Sequence, residues 1–120
     1  LVTTIHYGHD YHRQISKTTL LNQLTKLSNP IDHNKISLIW EDKYFEWLLN
    51  DEIVFKVNFN EVENITPNPF LEEFYLLINV AVGGNWPGPP NSTMYCNSRK
   101  SCPDVKKLIV DYIAYYEKIN

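Results

Sequence analysis

The side chains best suited to chemistry in this 120-residue sequence lie within residues 74–88, FYLLINVAVGGNWPG. A site that binds sugar rings combines an aromatic platform for their apolar C–H faces with hydrogen-bonding amides. Trp86 could supply the platform, because the flanking glycines and proline favour a turn that holds it out of a core. Asn79 and Asn85 could supply the amides. In the structural alternative, Trp86 covers the hydrophobic core and Asn79 is a buried amide with a hydrogen-bonding partner.

The carboxylates show no spacing that suits acid–base catalysis. Their closest groupings lie in turn or loop contexts, or are adjacent in sequence, so that on a strand the side chains point to opposite faces. These groupings are Asp51-Glu52, Glu61-x-Glu63 and Glu72-Glu73. We interpret them as solvated surface groups and assign no catalytic residue.

Three of the four histidines lie close together in HYGHDYH, residues 6–12. On a strand, His6 and His9 would face opposite ways. Gly8 and the aromatic neighbours disfavour a helix that would bring the three side chains together. The pattern therefore predicts no metal site, and no cofactor is expected.

Charge and hydropathy argue against two kinds of partner. With a formal net charge of −3, the sequence has no basic stripe that would neutralise phosphates. Its longest apolar run, within residues 74–82, is far shorter than the roughly 20 residues that a membrane-spanning helix needs. We expect neither a nucleic-acid partner nor a membrane span.

Several weak features favour an extracellular protein. Cys96 and Cys102 flank five residues, a spacing that suits a small disulfide-closed loop better than a zinc site, which needs about four ligands. Asn64 and Asn91 each begin a sequon that permits N-glycosylation. Together these features predict a secreted, disulfide-containing glycoprotein.

The length fits one domain, residues 1–120, and the hydrophobic pattern is mainly that of strands. The clearest hairpin joins 43–49 to 52–58, with Asn50-Asp51 as a tight turn. Trp40 and Trp47 fall in strand patterns and are predicted to be core residues. Residues 19–30 fit either a short helix or an extended stretch. Strands are predicted at 1–7, 35–40, 43–49, 52–58, 73–82 and 107–116.

Four segments, in order, resemble glycoside hydrolase family 16, the laminarinase and lichenase group. Residues 74–88 are similar to the family's FYLILNLAVGG-x-WPG, and residues 33–55 to its FHTYAIEW-x6-W-x-VDG-x-x-V. LIVDYIAYY, residues 108–116, resembles its closing strand MxVDYVRVY. TTIHYG, residues 3–8, resembles the strand that follows the catalytic strand in laminarinases and in invertebrate glucan-recognition proteins.

The resemblance implies an all-β, concanavalin-like jelly-roll β-sandwich, of which this chain is the carboxyl-terminal half. The family's catalytic motif, E-x-D-x-x-E or E-x-D-x-E, is absent. The resemblance further implies a β-glucan ligand, with His6 on the cleft-facing side and Asn79 pointing toward the concave sheet. A complementary chain or segment would carry the other half of the sandwich. Two functions remain open: a fragment of a retaining endo-β-1,3-glucanase that is inactive alone, and a non-catalytic glucan-recognition or assembly protein.

Overall fold

The computed structural model describes residues 1–8, 10–24, 33–62, 67–81, 83–85, 88–89 and 108–119. The chain divides into two units, Leu1–Phe74 and Tyr75–Asn120. All the described regular structure longer than one turn is β. The strands are β1 (Val2–Tyr7), β2 (Arg13–Thr18), β3 (Ile36–Glu41), β4 (Tyr44–Leu49) and β5 (Glu52–Asn58), and three short 3₁₀ turns span Leu21–Gln23, Phe59–Glu61 and Pro69–Leu71.

The strands of the first unit form two antiparallel sheets, β1-β2 and β3-β4-β5. This arrangement confirms the all-β class and is consistent with a partial β-sandwich. The strands predicted at 1–7, 35–40, 43–49 and 52–58 are all present. The strand β2 was not predicted, because RQISKT offers the core only Ile15, which is half-buried. A strand with one apolar residue shows no alternation of apolar and polar residues by which it could be recognised.

The turn between β4 and β5 is the tight turn that the sequence predicts. Asn50 and Asp51 have φ values of 48° and 67°, the pair of left-handed conformations that a two-residue hairpin turn requires. The Asn50 side chain also holds the start of β3, since its Oδ1 accepts a hydrogen bond from the Lys35 N–H at 2.8 Å. Asparagine and aspartate tolerate this conformation better than most residues.

The core of the first unit consists of two small clusters. One is built from Ile5, Phe45, Val57, Val62 and Phe70, and the other from Leu24, Leu49 and Val54. Trp47 packs against both clusters, as predicted for a core residue. Trp40 is more exposed than predicted, although its ring contacts those of Phe45 and Phe74.

A register shift in the β4-β5 ladder explains how Val54 and Val57 can both be buried. Residues three apart on a regular strand face opposite sides of the sheet. Here the pairing changes from Trp47 with Phe55 to Leu48 with Ile53, which leaves Val54 as an extra residue. The bulge therefore turns both valines into the core.

The strands predicted at 73–82 and 107–116 are wrong for the residues that the structure describes. Residues 73–81 and 108–116 have no strand pairing there, and all of them are exposed, including Tyr75 at 86% and Leu76 at 70%. An extended apolar segment becomes a strand only when a neighbour completes its hydrogen-bond ladder. Within the described residues, no strand provides that ladder.

Residues 19–30 are described only in part. Leu21–Gln23 form a single 3₁₀ turn, and Leu24 is buried in the second core cluster. Residues 25–30 lie outside the described residues, so the choice between helix and extended chain stays open there.

The stability of the fold is expected to fall in acid, because the Glu61 carboxylate caps the 3₁₀ turn that follows β5. The Glu61 Oε1 accepts hydrogen bonds from the Asn58 backbone N–H (3.0 Å) and from Asn58 Nδ2 (2.7 Å). These bonds, the backbone one foremost, lower the pKa of Glu61 below its ordinary value. A carboxyl whose pKa is depressed by folding stabilises the protein above its unfolded pKa, and the contribution is lost as pH falls through the folded pKa.

We therefore expect Glu61→Gln to be less stable than the original chain at pH 7 and equally stable at low pH, where Glu61 is protonated in both states. Urea midpoints at pH 7, 5 and 3 would measure this convergence. A stability difference that stays constant across the three pH values would contradict the ionic origin of the cap.

Candidate functional site

Two glycines, Gly84 and Gly88, are hydrogen-bonded to each other at the end of the FYLLINVAVGGNWPG segment. The Gly84 N–H donates to the Gly88 carbonyl (3.1 Å), and the Gly88 N–H donates to the Gly84 carbonyl (3.0 Å). Gly84 has a φ of 129° and Gly88 a φ of 82°, values that residues with a Cβ rarely adopt. Gly84 and Gly88 are thus tied to each other, and Asn85, which follows Gly84, is exposed. Trp86 lies outside the described residues, and its role as a platform stays a prediction.

Loop closure should depend on the conformation of Gly88 and not on space around it. A Cβ built on Gly88 would meet no atom within 4 Å, so only the positive φ opposes a side chain. Gly88→Ala is expected to weaken closure by about 1–2 kcal/mol, the usual cost of a left-handed residue with a Cβ. Amide exchange of the Gly84 N–H should then accelerate roughly tenfold, since each 1.4 kcal/mol is a factor of ten.

Gly88→Asn is the matched control, because asparagine tolerates a left-handed conformation and should keep most of the protection. Equal exchange rates in the original chain and Gly88→Ala would show that the two glycine hydrogen bonds do not close the loop.

Asn79 is accessible, which overturns its interpretation as a buried amide. The whole segment 73–81 is exposed, so this side chain needs no internal partner. An exposed amide among apolar neighbours is available to a ligand or to another polypeptide. Its role as a sugar contact stays a prediction.

His6 is exposed near the end of β1, and its nearest polar partner is His12. The His6 Nδ1 and the His12 Nε2 lie 2.8 Å apart, and the ring centroids are 5.0 Å apart. The centroid separation is close to the N–N distance plus the two ring radii. The two rings therefore point at each other through these nitrogen atoms and are not stacked face to face. Alternation along one strand could not reveal this pair, because it depends on the hairpin between β1 and β2. His9 lies outside the described residues.

Three described carboxylates form ion pairs or hydrogen bonds that stabilise the fold. Glu46 Oε1 lies 2.6 Å from Lys56 Nζ, which also sits 3.8 Å from the centroid of the Tyr44 ring. The hydrogen bond to Glu46 is the main cause that raises the pKa of Lys56. Asp51 forms an ion pair with Lys35, and the Glu61 carboxylate accepts a hydrogen bond from the Asn58 side chain. None of these arrangements resembles two carboxyl groups facing a shared substrate.

One depression among the described residues offers no second sugar-binding surface. It has a volume of about 220 Å³ and lies beside Lys17, Leu24, Glu52 and Val54. No aromatic side chain lines it. It therefore lacks the flat apolar platform on which a sugar ring stacks.

Other predicted features fall partly or wholly outside the described residues. Cys96, Cys102, Asn64 and Asn91 are not described, so the disulfide and the glycosylation sites stay predictions. Among the described residues, no three His, Cys, Asp or Glu side chains are grouped to hold a metal ion. The described part of the chain also contains no helix with the length and apolar character needed to span a membrane.

Two curated proteins with similar sequences are much longer than this chain. The chain is 32% identical over 95 residues to glucan endo-1,3-beta-glucosidase A1 of Niallia circulans, a match that covers 72% of this chain and 12% of that protein. It is 26% identical over 119 residues to the clotting factor G alpha subunit of Tachypleus tridentatus, covering 95% of this chain and 15% of that protein. No family model matches the chain. No solved structure matches it either.

These matches support a glucan-related affiliation at a coarse level. The chain spans less than a sixth of the length of either relative. The finer assignment to glycoside hydrolase family 16 stays a prediction that rests on the four motif segments.

Proposed function

We propose that this chain forms one wall of a β-1,3-glucan-binding cleft in a jelly-roll β-sandwich of the glycoside hydrolase family 16 type. The observation that carries the proposal is the glycine-closed loop 84–88, in a chain 32% identical over 95 residues to a glucan endo-1,3-beta-glucosidase. The loop exposes Asn85 and contains Trp86, the amide and aromatic types that sugar binding uses. Asn79 and His6 are also exposed and can offer polar contacts.

Binding without hydrolysis is the expected activity of the isolated chain. Retaining glycosidases need two carboxyl groups about 5–5.5 Å apart, one as nucleophile and one as acid/base. The sequence lacks the family's E-x-D-x-x-E motif, and Glu46, Asp51 and Glu61 are engaged in structural contacts. Hydrolysis by a native assembly therefore requires carboxylates supplied by another polypeptide or segment.

A non-catalytic recognition or assembly protein is the second candidate. The missing motif favours it, since a protein that only binds glucan does not need the acid pair. The second relative supports it too, because that protein is by name a subunit of a clotting factor. In either case the ligand is proposed to be a β-glucan and the location extracellular.

The outer strand of the larger sheet supports a complementary polypeptide as partner. Among the described strands, β3 pairs only with β4, so its other edge has no ladder. Apolar side chains of β3 are exposed on both faces, with Ile36 at 68% on one face and Ile39 at 38% on the other. Open edges and uncovered apolar faces of this kind favour association.

We expect the isolated chain to self-associate or to co-purify with a complementary chain. Size-exclusion chromatography with light scattering would measure its mass. A monodisperse 14.1 kDa monomer that unfolds cooperatively would contradict the proposed partner.

Two assays test the function. The first measures retention of the chain on insoluble β-1,3-glucan, with cellulose as the matched β-1,4-linked control. The second measures reducing ends released from laminarin by the native co-purified material. Retention with hydrolysis by the native material supports the enzyme fragment, and retention without hydrolysis supports the recognition protein. Equal retention on both polysaccharides, or none on either, would overturn the proposal.

A further inference from the structure

The contact between His6 and His12 serves no evident purpose in packing. Both side chains are exposed, and neither belongs to a core cluster. Their nitrogen atoms nevertheless approach to 2.8 Å. Two imidazoles meet head-on in this way only when one donates its N–H and the other accepts with its lone pair. One nitrogen of the contact therefore carries a proton and the other an accepting lone pair, and both can bind one ion only when the donor ring moves that proton to its other nitrogen.

The distance between these two imidazole nitrogen atoms is close to that of two ligands on one ion. Ligand nitrogen atoms bind Zn²⁺ at about 2.0–2.1 Å, which puts two of them roughly 2.9–3.4 Å apart for right-angle to tetrahedral geometry. The observed spacing needs to widen by a few tenths of an ångström, and each ring must turn by about 35–45° so that its lone pair points at a shared ion and not at the other nitrogen. Both side chains are exposed, which leaves room for that rotation. We propose that His6 Nδ1 and His12 Nε2 bind a borderline divalent metal ion, Zn²⁺ or Cu²⁺, with water in the remaining positions.

The hairpin between β1 and β2 brings the two ligands together. Tyr7 pairs with Arg13, so residues 8–12 form the connection and His12 returns beside His6. Gly8 permits this return, because its φ is 110° and an added Cβ would collide with the backbone carbonyl of Tyr11. A ring pair held by a hairpin loses less freedom on metal binding than two histidines on a flexible loop.

The site goes beyond the proposed function and does not depend on it. An ion held by both histidines would link the end of β1 to the start of β2 and stabilise the hairpin by mass action. Its open coordination positions would keep the ion exchangeable, unlike a closed structural zinc site.

Isothermal titration of the full chain with ZnCl₂, and separately with CuCl₂, tests the site. We expect one ion per chain, with affinity at least about tenfold lower in His6→Ala and in His12→Ala, since each substitution removes one of the two ligands. His33→Ala is the matched control, and His9→Ala tests the remaining histidine of the cluster. Both of these variants should bind within about threefold of the original chain, about 0.7 kcal/mol or less.

Three results would overturn the assignment: no saturable binding by the original chain, unchanged binding in the His6→Ala/His12→Ala double variant, or an equal loss in His9→Ala. Imidazole ¹⁵N shifts give a readout that misfolding does not imitate. Zn²⁺ should shift His6 Nδ1 and His12 Nε2, and shifts confined to other nitrogen atoms would contradict the proposal. Gly8→Ala keeps both imidazoles but disturbs the loop, so it should also weaken binding; unchanged affinity there would refute the role of the hairpin.

Discussion

Phe45→Ala is expected to lower the free energy of unfolding by about 3–5 kcal/mol, the usual cost of removing a buried phenylalanine ring. Phe45 is only 5% exposed and lies in the larger core cluster. Its ring contacts those of Trp40, Trp47, Phe59 and Phe70, with centroids 5.0–5.7 Å apart. The substitution would leave a cavity where β3, β4 and both following 3₁₀ turns meet.

Such a loss is large against the 5–15 kcal/mol that typically stabilises a domain. Urea unfolding at one fixed protein concentration would measure it, since association changes apparent stability. Phe45→Leu refills part of the space and should lose clearly less. Tyr11→Ala is the exposed aromatic control, because Tyr11 is 76% exposed, and it should stay near the original stability. A Phe45→Ala variant within 1 kcal/mol of the original chain would contradict this account of the core.

Trp86→Ala is expected to weaken β-glucan binding at least about tenfold, because a central aromatic anchor typically contributes 2 kcal/mol or more to binding. Two hydrogen bonds join Gly84 and Gly88, the described residues on either side of it in the sequence. The free energy of unfolding should change little if the ring faces the ligand. Titration with soluble laminarin, alongside urea unfolding, would measure both quantities.

Trp40→Ala is the matched control for the loss of a tryptophan. Trp40 packs against Phe45 and Phe74, so its removal should lower stability and leave glucan affinity unchanged. Unaltered glucan binding by Trp86→Ala would remove the platform role. A marked loss of stability in that variant would instead favour the structural alternative, in which Trp86 covers the core.

Local chemistry made part of the fold predictable. The turn at Asn50-Asp51 was recognisable because both residues tolerate positive φ, and the structure places both in that conformation. The strand around Phe45 was recognisable because its apolar residues alternate. The glycines of residues 83–88 were recognisable as turn residues for the same reason, and Gly84 and Gly88 both have positive φ.

Long-range pairing made the rest unpredictable. The strand β2 exists because β1 offers it a ladder, and its own residues carry almost no apolar pattern. The Val54 bulge depends on register with β4, which no property of the β5 sequence reveals. The contact between His6 and His12 likewise requires the β1-β2 hairpin, so alternation along one strand could not reveal it.

The sequence by itself determined the all-β class, the β4-β5 turn, the turn-forming glycines and the lack of the family's catalytic motif. Each of these follows from residue type and near neighbours, through allowed φ angles, alternation and composition. Only the tertiary structure decided that FYLLINVAV is exposed through residue 81 and that His12 meets His6. Burial and pairing depend on what lies across the sheet, and an apolar segment is buried only when another element is present to cover it.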